Sequence, residues 1–159
     1  EFGLAANLGI TRDAAKAYIS RYFNRYPGVA QYMEEIRGHA GEQGYVETVF
    51  GRRIWLPDLR GAKGPRKAAA ERAAINAPVQ GTAADLIKMA MVAVDDWLRA
   101  ESLQAKLVMQ VHDELVLDVP SDEVEAVAES LPRLMSSVAQ LSVPLLAEVG
   151  LGANWEQAH

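Results

Sequence analysis

The 159-residue sequence contains no cysteine. Disulfides and thiolate-held metals are therefore excluded, and any metal chemistry has to rest on oxygen or imidazole donors. No segment approaches the ~18 to 20 unbroken apolar residues of a membrane span. The N-terminus also lacks a basic region followed by an apolar run, so nothing suggests export, and a cytoplasmic protein is the expectation. An initiator methionine is missing as well: the chain opens on Glu1-Phe2-Gly3-Leu4, which reads as a fragment whose upstream part is absent. There is no internal repeat and no low-complexity segment. Nor is there a basic excess, because the formal net charge is -5, which argues against a stand-alone nucleic-acid binder.

What is present is an ordinary globular composition, with 50% hydrophobic and 23% charged residues, in a length suited to one domain or parts of two. The average charge hides an asymmetry. Residues 52–72 carry seven cations (Arg52, Arg53, Arg60, Lys63, Arg66, Lys67 and Arg72) against Asp58 and Glu71, whereas residues 101–159 carry ten acids against Lys106 and Arg133. A basic stretch leading into an acidic half can set phosphates beside carboxylate-bound cations. The same pattern also arises when a basic loop and an acidic helix simply keep a surface soluble.

Helical periodicity is plain in the first third. Thr11 is placed to cap a helix in which Ala14, Tyr18, Ile19, Tyr22 and Phe23 recur until Pro27-Gly28. Val29, Tyr32, Met33, Ile36 and Ala40 form a second stripe ending at Gly44, so a helical hairpin is predicted. Residues 45–50 and 53–56 flank Gly51-Arg52 as a short β-hairpin ended by Pro57, and 58–65 is a basic loop. A helix over 66–77 is interrupted by Pro78 and Gly81, and a new one starts at Thr82, with Asp85 completing a capping box. Residues 106–119 read as strand, tight turn, strand, apolar on both faces and so expected inside a sheet covered on each side. Ser121 then caps a helix that Pro132 should kink or break, and 145–149 reads as a last strand.

The chemistry concentrates where the apolar hairpin breaks, at His112-Asp113-Glu114. Carboxylates held rigidly on a tight turn can bind a hard divalent cation such as Mg2+ through oxygen. His and Asp are equally ordinary turn residues that tolerate unusual backbone angles. A second constellation is Arg72, Asn76 and Gln80, spaced by four along a helix. All three donate hydrogen bonds, and the minor groove offers purine N3 and pyrimidine O2 acceptors in nearly the same place for every base pair. Such donors could test pairing geometry without reading sequence, or could line a solvated helix face.

These residues stand in a recognisable order. The run Gln110-Val111-His112-Asp113-Glu114, with its flanking strands, resembles the carboxylate hairpin of family A DNA polymerases. Glu71-Arg72-Ala73-Ala74-Ile75-Asn76-Ala77-Pro78-Val79-Gln80-Gly81-Thr82-Ala83-Ala84-Asp85 is similar to the segment joining fingers to palm in the bacterial members of that family. The likeness extends through Arg25-Tyr26-Pro27-Gly28 and Gly51-Arg52-Arg53 to Asn154-Trp155, covering essentially the whole chain.

The resemblance implies an α+β fold. Residues 1–65 would be a helical fingers remnant carrying a β-hairpin, and 66–159 an incomplete palm with a small antiparallel sheet backed by helices. It implies template-directed nucleotidyl transfer from dNTP to a primer 3′-hydroxyl by a two-metal mechanism. Asp113 would be a ligand of the catalytic Mg2+ ions and Glu114 its acidic neighbour, both counted as catalytic. His112 would lie near the primer end, and Arg72, Asn76 and Gln80 would contact primer-template DNA near the newest pair. The second metal-binding aspartate and the nucleotide-gripping fingers helix of the family are absent, and Phe2-Gly3-Leu4 resembles the segment just after that helix. The fragment alone is therefore expected to be inactive and to self-associate through exposed palm surface. Two rival readings remain: a metal-dependent phosphodiesterase using Asp113 and Glu114, and a non-catalytic DNA-binding module using residues 52–72.

Overall fold

The computed structural model describes residues 1–59, 61 and 63–158. Arg60 of the basic stretch, Ala62 and the terminal His159 lie outside the described residues. The fold is α+β, with two separate two-stranded antiparallel sheets among helices.

Local sequence sets the first boundaries. α1 (Phe2–Leu8) ends on Gly9 in the left-handed conformation. α2 (Arg12–Arg25) opens at Thr11, whose hydroxyl accepts from the Ala14 amide at 3.2 Å, as its sequence position predicts. Pro27 occupies the first turn of α3 (Pro27–Gln43), where a missing N–H leaves no helical carbonyl unserved. The same residue therefore separates the two helices and begins the second. Gly44 closes α3 with a φ of 80°. β1 (Tyr45–Glu47) and β2 (Arg53–Trp55) then pair with Val46 opposite Ile54, forming the hairpin predicted around Gly51-Arg52 with shorter strands. After a single 3-10 turn at Pro57–Leu59 come α4 (Gly64–Ala100), β3 (Lys106–Val111), β4 (Glu114–Asp118), α5 (Val124–Ser136) and α6 (Trp155–Ala158).

The chain divides into two compact units, Glu1–Val79 and Gln80–His159. In the first, Ala40, Val46 and Ala74 are buried, with Ile36, Ile54 and Leu56 packed against them. The Tyr32 hydroxyl donates to the Ile75 carbonyl at 3.2 Å, and burial pushes its pKa up, so it stays a donor. A division at residue 65 marks expected function rather than compactness, since Ala74 and Ala77 of α4 belong to the first unit's core. In the second unit Val94, Leu98, Ala105, Val127 and Leu131 form the core, and Leu115 and Leu117 of β4 pack on it. The Glu123 carboxylate accepts from the Gln104 amide at 2.8 Å and the Ala105 amide at 2.9 Å, tying the approach to β3 to the start of α5.

Several sequence expectations are corrected. α4 runs unbroken through Pro78 instead of stopping there and restarting at Thr82. Proline removes one hydrogen bond, to the Ala74 carbonyl, and costs about 3 kcal/mol in a helix interior. That local cost is outweighed by long flanks of helix formers and by burial of Ala74 in one core and Val94 and Leu98 in the other. α5 likewise contains Pro132 without ending, and it starts at Val124 rather than being capped by Ser121. The β3–β4 hairpin is not covered on both faces: Val108 is 56% and Met109 44% exposed. One face meets the core, while the register shift between Leu107 and Met109 takes Val108 out of the ladder. Residues 145–149 form no strand, because a strand requires a hydrogen-bonded neighbour and the β3–β4 sheet gains none there. The short helices α1 and α6 were not anticipated from periodicity.

Candidate functional site

The sharpest geometry lies at the tip of the second hairpin. β3 and β4 close on the pair Val111 and Glu114, leaving a two-residue connection of His112 and Asp113. His112 takes a φ of 53°, the positive value that tight two-residue hairpin turns place at their first central position. Histidine enters that region more readily than a β-branched residue would. The side-chain amide of Gln110 donates to the His112 carbonyl and braces the turn from within the strand. His112 and Asp113 are exposed, and Glu114 is half-buried at the start of β4.

Glu114 has a distant partner. The indole Nε1–H of Trp155 donates to its Oε2 at 3.4 Å. Trp155 begins α6, and Asn154 caps that helix: its side-chain oxygen accepts from the Gln157 amide at 3.0 Å. The sequence signals both supporting residues only weakly. Gln110 is visible as a polar break in an apolar run, whereas nothing local to Trp155 announces a contact 41 residues away.

Oxygen-only donors suit Mg2+, which commonly takes one or two protein carboxylates and fills its remaining positions with water and substrate phosphate. Asp113 and Glu114 fit that donor set. Among the described residues no group of three or more His, Cys, Asp or Glu side chains is gathered closely enough to enclose a metal ion. Asp113 and Glu114 could thus supply part of a coordination shell but form no closed cage among the described residues.

The helical constellation sits on α4, with Arg72, Asn76 and Gln80 all exposed. Arg72 and Asn76 belong to the first compact unit and Gln80 opens the second, which also holds His112, Asp113 and Glu114. Part of the positive charge of residues 52–72 is locally paired. Arg53 meets Glu47 at 2.9 Å and lies over the Tyr45 ring, and Lys67 lies 3.8 Å from Glu71.

DNA polymerase I of Pseudomonas aeruginosa is 58% identical over 158 residues, which is 99% of this chain and 17% of that protein. DNA polymerase I of Chloroflexus aurantiacus is 51% identical over 157 residues, again 17% of its length. Among solved structures, the POL domain of Pol1 from M. smegmatis, in complex with DNA primer-template and dNTP, is 40% identical with a TM-score of 0.92. That match covers 99% of this chain and 28% of the solved one. The chain therefore spans less than a fifth of these curated relatives. The family model for DNA polymerase family A matches residues 1–157, and with so nearly complete a match the chain belongs to that family.

Proposed function

We propose that the polypeptide carrying this chain is a DNA-directed DNA polymerase, a nucleotidyltransferase acting on primer-template DNA and dNTP. The observation that carries this reading is the hairpin turn: it sets an exposed Asp113 beside Glu114 at the tip of an apolar ladder, in a chain of family A. In the reaction the primer 3′-oxygen attacks the α-phosphorus, the bridging P–O bond to the β-phosphate breaks, and pyrophosphate leaves. Magnesium ions, when bound, supply a more acidic primer hydroxyl and charge stabilisation of the leaving group. Asp113 and Glu114 would contribute carboxylate oxygens to that site, and the remaining ligands would come from elsewhere in the polypeptide. His112 lies near the primer end. The partners match those in the M. smegmatis complex, and a cytoplasmic location follows from these substrates.

Arg72, Asn76 and Gln80 serve as hydrogen-bond donors to the minor groove near the newest pair. Mispairing moves the groove acceptors out of place, so these donors reward correct geometry. Gln80→Ala in the full-length protein is expected to weaken productive primer use by up to about tenfold, as for loss of one hydrogen bond, and to change mismatch discrimination. Single-nucleotide extension from matched and mismatched primer ends measures both, and unchanged values at both ends would return Gln80 to a solvated helix face.

Primer extension by the full-length protein tests the reading as a whole. Template-dependent incorporation is expected. Magnesium-dependent hydrolysis of DNA without incorporation replaces the polymerase by a phosphodiesterase, and salt-sensitive duplex binding with no turnover replaces it by a DNA-binding module.

A further inference from the structure

The contact between Trp155 and Glu114 is built from both sides. On one side Glu114 is pinned at its backbone, as the first residue of β4 in register with Val111. Its side chain has three torsions, which backbone pairing alone does not fix. On the other side the indole is rigid, with two torsions, and sits on a short helix fixed by several polar bonds. The amides of Gln157 and Ala158 both donate to the Asn154 carbonyl at 3.2 Å, and the Ala153 amide donates to Gln157 Oε1 at 3.2 Å.

A second observation shows that α6 is seated rather than loosely attached. Gly150 and Gly152 pass so close to α6 that neither position has room for a side chain. A Cβ at Gly150 would collide with the carbonyl of Ala158, and one at Gly152 would lie 2.7 Å from the Ala158 amide nitrogen. Two glycines thus form a cradle for the helix that carries Trp155. The indole itself remains 46% exposed, so burial of the ring in a core does not account for its placement. Its position brings the indole N–H to Glu114.

We propose that Trp155 is a positioning residue, held by the Gly150–Gly152 cradle, that restrains the Glu114 carboxylate beside Asp113 and so raises the affinity of this carboxylate pair for a divalent cation. The inference rests on the polymerase reading for its biological role, but the contact and its effect on cation binding are independent of turnover. A donor to a carboxylate narrows the orientations of that group while leaving its other oxygen available. Trp155 does not itself touch substrate in this role; it acts through Glu114.

The test uses full-length polymerase with Trp155→Phe, which keeps an aromatic ring and removes the N–H. Equilibrium binding of Mn2+ followed by electron paramagnetic resonance is one readout, and the Mg2+ concentration giving half-maximal incorporation is the other. The Mn2+ dissociation constant and the half-maximal Mg2+ concentration are both expected to rise by about three- to tenfold, as for loss of one ordinary hydrogen bond, since this one is long. Primer-template affinity and the rate at saturating Mg2+ should stay within about twofold. In a Glu114→Ala background, Trp155→Phe should add nothing, because the residue acts only through that carboxylate. Gly150→Ala, which displaces α6, should reproduce the Mn2+ shift with the tryptophan intact. Unchanged Mn2+ affinity in Trp155→Phe, or an equal shift when Glu114 is already alanine, would overturn the proposal. Unmodified protein that binds Mn2+ but incorporates no nucleotide would instead count against the polymerase reading, while the Mn2+ comparison still decides the role of Trp155.

Discussion

Asp113→Ala in the full-length polymerase is expected to lower nucleotide incorporation on the order of a thousandfold or more, while primer-template affinity stays within about threefold. The asymmetry follows from position. Asp113 is the exposed second residue of a two-residue turn and contributes no side chain to the packed core, so its loss leaves the ladder between Val111 and Glu114 intact. What disappears, on the proposed reading, is one of the two carboxylates that this hairpin contributes to the metal site. Groups that act as a unit do not lose their effects in proportion: removing one can cost nearly as much as removing all. DNA affinity, by contrast, is dominated by phosphate neutralisation, to which an aspartate contributes nothing favourable. Single-turnover extension and fluorescence anisotropy on a labelled primer-template separate the two quantities. Incorporation within tenfold of the unmodified enzyme would sink the assignment of Asp113.

The parts of this molecule that the sequence discloses are those whose physics is local. Thr11 is a cap because a hydroxyl one residue before a helix can reach the amide of Ala14, and Gly44 ends α3 because glycine accepts a positive φ. The turn at His112-Asp113-Glu114 is legible because three polar residues in the middle of an aliphatic run leave a tight turn as the economical solution. The misreadings share the opposite property. Pro78 and Pro132 oppose helix locally, yet each lies inside one, because burial along the flanking turns is decided by residues far away in sequence. Residues 145–149 have the composition of a strand, but pairing is a relation between two segments and composition specifies only one of them. The same distinction divides the site. Asp113 and Glu114 were visible as candidates, whereas the hold of Trp155 on Glu114 joins a helix of four residues to a turn 41 positions earlier.

The 159-residue chain by itself is expected to show no template-directed incorporation under conditions in which the full-length polymerase is active, and to self-associate. The first expectation rests on number. Among the described residues no three His, Cys, Asp or Glu side chains form a group that could hold a metal ion, and the chain spans 17% of its P. aeruginosa relative. On the proposed polymerase reading, part of the metal shell and the nucleotide grip belong to the rest of the polypeptide, so the groups in this chain lack the partners with which they would act. The second expectation rests on surface. Val143 is 63%, Leu146 82% and Leu151 62% exposed in a segment without regular structure, and Val108 and Met109 are exposed on a strand that, among the described residues, pairs with β4 alone. Unpaired strand edges and contiguous apolar side chains favour association with another chain. Sedimentation velocity over a concentration series should show species larger than the 17.3 kDa monomer, growing with concentration. Nucleotide addition by the purified chain, abolished by Asp113→Ala so that a contaminating enzyme is excluded, would mean that the ligands assigned to the rest of the polypeptide are not required. A strictly monomeric particle at high concentration, with the β3 and β4 amides protected from hydrogen exchange, would mean that the exposed apolar segment folds back and closes the sheet unaided.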